Sequence, residues 1–81
     1  MVEAYVLVNA VPGRVGRAVS RQIGAIKGVV SAEDLAGPYD VIARVEARDI
    51  DELARLVVAK IQVVEGVTRT ITCPVVHLPG R

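Results

Sequence analysis

The chain has 81 residues, is 52% hydrophobic and carries a formal net charge of +1. That length allows one small domain, whose own core hides only about 60–65% of the surface its unfolded form exposes. The near-neutral charge disfavours a dedicated binder of nucleic acid or anionic membrane, and no apolar run reaches the roughly 18 residues of a membrane span.

The first strand is expected over Glu3–Ala10, with Tyr5, Leu7 and Asn9 on one face and Ala4, Val6 and Val8 on the other. Both faces are largely apolar, so both sides of the sheet should be covered. Helices of the same chain can cover one side. A hydrophobic content too high for so small a monomer makes a second copy the simplest cover for the other. Val11-Pro12-Gly13 reads as a turn. A helix over Arg14–Ala25 follows, with Val15, Ala18, Val19, Ile23 and Ile26 at helical spacing and Gly28 as its terminator.

A second strand is expected over Val29–Leu35, a turn at Gly37-Pro38, and a third strand over Asp40–Ala47. Asp49 is placed to cap a second helix, with Glu52 completing a capping-box spacing. Ile50, Leu53, Ala54, Val57 and Ile61 would form its buried face. Gly66 releases the chain into a last strand, Val67–Leu78, where Pro74 requires a sheet edge or a bulge. Lys27-Gly28-Val29 and Glu65-Gly66-Val67 occupy equivalent places in the two halves. The chain thus reads as strand-helix-strand written twice, an α+β, ferredoxin-like βαββαβ domain over residues 1–81. Its antiparallel four-stranded sheet would carry two helices on one face.

With the elements placed, Ile26-Lys27-Gly28-Val29, Gly37-Pro38-Tyr39-Asp40, and Glu65-Gly66-Val67 followed by Thr70 and Thr72 form a recognisable set. From about Ala4 to Leu78 they resemble the effector domain of the Lrp/AsnC ("feast/famine") transcription regulators, also called the RAM domain. The resemblance implies a dimeric α+β barrel, homodimers assembling into higher oligomers, and an amino-acid effector at contacts between dimers. Full-length regulators carry a helix-turn-helix domain ahead of this one, whereas this chain begins at the first strand. A stand-alone effector domain is therefore expected, with Lrp/AsnC-type regulators as candidate partners.

Candidate effector contacts are Gly37, Tyr39 and Asp40 in the central turn. A glycine lets a ligand approach the backbone, a tyrosine offers a flat surface with a polar tip, and an Asp can accept from an α-ammonium group. The same residues also make an ordinary hairpin turn. Thr70 and Thr72 suit a strand in any event. The resemblance adds that last-strand positions lie near the effector, with their hydroxyls available to its carboxylate.

Arg14, Arg17 and Arg21 form a basic stripe on the first helix, read as a solvated face or an inter-subunit ion pair, because the chain has little to stack on bases. Cys73 is read as a small buried hydrophobe and His77 as an ordinary strand-end residue. Four residues apart on a strand they stand roughly 13 Å from each other, too far for a nucleophile pair. One cysteine allows no internal disulfide and no zinc cluster, and no secretory leader is evident. A cytoplasmic, non-enzymatic domain without cofactor or metal is expected. A small cofactor-free enzyme on the same dimeric barrel and a ligand-free assembly partner are the alternatives.

Overall fold

In the computed structural model the described residues are 1–12 and 17–79, without the side chain of Arg17. Val15 and Arg14, expected on the first helix, lie outside that set. The elements are β1 (Val2–Ala10), α1 (Arg17–Gly24), β2 (Val29–Asp34), β3 (Val41–Ala47), α2 (Ile50–Arg55) continuing as a π-helix (Leu56–Ile61), and β4 (Val67–Pro74). The sheet is antiparallel in the order β2-β3-β1-β4, the expected ferredoxin-like arrangement.

Small and β-branched residues line the helix-bearing face of the two central strands. Ala4, Val6, Val8 and Ala10 on β1 and Val41, Ala43, Val45 and Ala47 on β3 are all buried. Their modest size lets the helices approach closely, and Ile23 and Ile61, both fully buried, fill the space between the layers. The halves repeat in detail. Ile26 N–H donates to Ile23 O and Val29 N–H to Ile26 O; Val64 N–H donates to Ile61 O and Val67 N–H to Val64 O. Gly28 and Gly66 hold φ near +101° and +99° at the equivalent points, where a side chain would be strained.

Among the described residues no helix lies on the opposite face. Across it Ile42 of β3, Leu7 of β1 and Ile71 of β4 form one row, since Leu7 is the register partner of both isoleucines. The next row is Arg44, Tyr5 and Cys73, and Arg44 reaches Glu3 at 3.1 Å. Cys73 is exposed rather than buried, because an edge-strand position opposite Tyr5 places it on this open face.

Several expected details shift. Ala18 is exposed, and in α1 the buried positions are Val19, Ser20 and Ile23. On the second helix Ile50 is 58% exposed and Ala54 is exposed, while Leu56 joins Leu53, Val57 and Ile61 inside. β4 stops at Pro74, which lacks the N–H that would continue the ladder. Beyond it one further bond forms, from Val75 N–H to Glu3 O. β4 is an edge strand, as Pro74 requires, but its bulge lies at the other end. Asn9 pairs with Arg69 and Ala10 with Val67, leaving Thr68 as the extra residue. Val30 is the corresponding extra residue on β2, the other edge.

The cap of α2 is formed as expected. Asp49 Oδ1 accepts from Glu52 N–H at 2.8 Å, while Glu52 reaches back to accept from Arg48 N–H at 2.8 Å and Nε at 2.9 Å. The bonds from the Arg48 backbone and side chain hold the Glu52 carboxyl below its ordinary pKa. A folded value below the unfolded one makes this contribution present at neutral pH, and it fades as pH falls through the carboxylate range. Replacing Asp49 by alanine should cost about 1 kcal/mol of stability in chemical denaturation. An unchanged midpoint would mean water substitutes fully for the cap.

Candidate functional site

The turn between β2 and β3 is tied to β1 by side chains as well as by backbone. Asp40 N–H donates to Val8 O at 2.8 Å and Leu35 N–H to Asp40 O at 2.9 Å. Asp40 Oδ2 accepts from Ala10 N–H at 2.7 Å, and Asn9 Nδ2 donates to Pro38 O at 2.8 Å. Asp40 is thus part of the sheet's own hydrogen bonding, and its second carboxylate oxygen has no hydrogen-bond partner among the described residues. Gly37 is the opposite case: a Cβ built there would meet nothing within 4 Å. Tyr39 is half-buried beside it. The turn is a braced platform with a bare backbone at its tip.

Thr70 and Thr72 lie elsewhere on the subunit. They pair with Val8 and Val6 and therefore project from the helix-bearing face. Thr70 Oγ1 accepts from Gln62 Nε2 at 2.9 Å. Both threonines line a cavity of about 380 Å³ between β4 and α2, walled by Ile50, Ala54 and Val58. Ile50 and Ala54, expected inside, are exposed here because β4 opposes them with short threonines. Thr68, at the bulge, is not part of it.

β1 separates the turn from the threonines. Val41 and Thr70 both pair with Val8, so they stand two strand spacings apart, roughly 10 Å. The five predicted residues therefore form two clusters, not one pocket within a subunit. Sequence reasoning misses Ile50, Ala54, Val58 and Gln62 as cavity walls. The apolar spacing of the first two is visible, but it reads as core.

Arg21 is exposed, and Arg14 and the Arg17 side chain lie outside the described residues, so the basic stripe is only partly visible. His77 is exposed. Among the described residues no group of three or more His, Cys, Asp or Glu could hold a metal ion. No helix among them is long and apolar enough to cross a membrane.

The family model for the Lrp/AsnC ligand binding domain matches residues 3–79. An uncharacterized HTH-type transcriptional regulator of Pyrococcus abyssi is 34% identical over 71 residues, 85% of this chain and 47% of that protein. The chain spans about half the length of the Pyrococcus regulators it matches. A homocitrate synthase of Sulfurisphaera tokodaii is also 34% identical, but the match covers 15% of that enzyme, too little to bring its activity with it. Among solved structures, TTHA0845 of Thermus thermophilus superposes with a TM-score of 0.89 at 33% identity, covering all of both chains. A Neisseria meningitidis regulator solved with L-Met has the same fold, with a TM-score of 0.78 at 14% identity, over 99% of this chain and 53% of its own.

Proposed function

The chain belongs to the Lrp/AsnC ligand-binding domain family, and from that premise we propose that it senses an amino acid held between two copies of itself. The observation that carries this reading is the braced turn at Gly37–Asp40, rigid in its hydrogen bonding yet bare at Gly37. A preorganised polar platform of this kind loses little freedom when a ligand lands on it. The second carboxylate oxygen of Asp40 takes the ammonium group, and Tyr39 flanks it.

The second half of the site comes from Thr70 and Thr72 of another copy, because within one subunit β1 keeps them apart. Their hydroxyls and the Gln62 amide meet the carboxylate, and the cavity beside Ile50, Ala54 and Val58 takes the side chain. Those walls favour an apolar effector. A neighbour of the same fold with L-Met bound gives a fold-level precedent. A ligand that completes its contacts only between copies ties occupancy to assembly state, and a regulator of the same family is the natural partner for such a signal.

A thermal-shift screen of the twenty amino acids tests the reading, since ligand at 100 times its Kd adds about 2.7 kcal/mol of stability. The expected hit has an apolar side chain. Asp40→Asn keeps an acceptor for Ala10 N–H while removing the charge. It should weaken that amino acid by about 1.5–3 kcal/mol in calorimetry with the fold intact. Unchanged affinity would move the site off this turn, and no hit at all would turn the assignment toward a ligand-free assembly role.

A further inference from the structure

A larger groove of about 780 Å³ lies at the other end of the sheet. The effector turn adjoins Val8, whereas this groove begins where Val2 pairs with Ala47, roughly 20 Å away along β1. Its volume is in the range of small-molecule sites. Three parts of the fold supply cations to it: Lys27 from the turn after α1, Arg48 from the end of β3, and Arg55 and Lys60 from the second helix. Against these stand two carboxylates, Glu46 and Glu52, and Glu52 is engaged by Arg48. Lys27, Arg55 and Lys60 have no carboxylate partner among the described residues. A chain with a formal net charge of only +1 thus concentrates a local excess of two positive charges in one concavity, which attracts anions.

The backbone of the second helix explains how two of these cations share a wall. In an α-helix, residues five apart are about 140° from one another around the axis. Leu56–Ile61 is instead a π-helix, with Gln62 N–H bonded to Val57 O five residues back. The wider turn narrows the angle between Arg55 and Lys60, and both line the groove. Such turns are rare and concentrate at functional sites. Between the cations the floor is apolar, made by Val29, Leu56 and Ala59. At Gly28 a Cβ would come within 3.2 Å of Leu56 Cδ2, so the glycine keeps the turn tight against that floor.

We infer that this groove binds a small dianion on a short apolar body, a dicarboxylate or a phosphate compound, with Arg55 and Lys60 on one anionic end and Lys27 on the other. None of these residues takes part in the amino-acid site, so the two sites stand or fall separately. The test is an amide chemical-shift titration of the purified protein with glutarate, inorganic phosphate and butyrate at constant ionic strength. Glutarate or phosphate should give saturable shifts at Gly28, Val29, Leu56 and Lys60, and the tighter of the two identifies the anion class. Butyrate, a monoanion, should bind at least tenfold more weakly. Arg55→Gln and Lys60→Gln, both at exposed positions, should each lose about tenfold in affinity, whereas Asp40→Asn should leave it unchanged. Shifts that do not saturate, butyrate binding equal to glutarate, or affinity indifferent to both helix substitutions would overturn it.

Discussion

Leu7→Glu should turn a sedimenting dimer into a monomer. Leu7 is the midpoint of the Ile42–Leu7–Ile71 row on the helix-free face, and all three side chains are only half-buried within one subunit. Two copies packed through this face would form the barrel that the family fold implies, an obligate interface of about 2,000 Å² or more in total. A glutamate at its centre places a carboxylate on each side of that interface with no partner, at several kcal/mol apiece. Two such costs weaken the dimer by about a thousandfold or more. Because Leu7 points away from the helices, the core of the subunit is untouched. A wild-type protein that sediments as a folded monomer at micromolar concentration would remove the premise, and a Leu7→Glu protein still dimeric there would place the interface elsewhere.

The second large effect is on the subunit itself. Ile61 is fully buried, and Ile61→Ala should cost about 2–5 kcal/mol through lost transfer energy and the cavity left behind. For a domain of this length the total stability is only ~4–12 kcal/mol, so the variant sits near the edge of folding. Ile50→Ala on the same helix provides the internal contrast. Ile50 is exposed in the subunit, and its loss should cost less than about 1 kcal/mol. Urea midpoints at matched protein concentration separate the two, the matching being necessary because assembly shifts apparent stability. Equal losses would mean that the Ile50 wall is covered in solution.

That pair of isoleucines also marks where the amino-acid sequence is readable. Periodicity places both helices and the two central strands, one face of each strand being demanded by the core, and glycines at positive φ mark where β2 and β4 begin in the two halves. The Asp49–Glu52 cap is legible because it is written in local spacing alone. The phase of the second helix is not. An α-helical stripe joins Ile50, Leu53 and Ala54, but the π-helical stretch and the short side chains of β4 leave Ile50 and Ala54 outside and draw Leu56 in. Nothing in the identity of Leu56–Ile61 announces a wider turn. Cys73 escapes for a related reason: composition says that cysteines are buried, whereas register decides which face one occupies. The site is legible in its residue types and not in its arrangement. That Asp40 is bound to Ala10, and that β1 divides the turn from Thr70 and Thr72, are facts of pairing across the sheet.

The two extra residues, Val30 and Thr68, both sit on outer strands. An outer strand with regular spacing would be a template on which the next molecule could extend the sheet, and the next after it, without limit. Each bulge spoils the repeat on its own border, and Pro74 interrupts the last strand besides. Both borders are therefore poor templates for strand addition, and the contacts left to a protein this rich in hydrophobic residues are those through its faces. Where such contacts pair a surface with itself, the assembly closes at a finite size instead of running on into fibres.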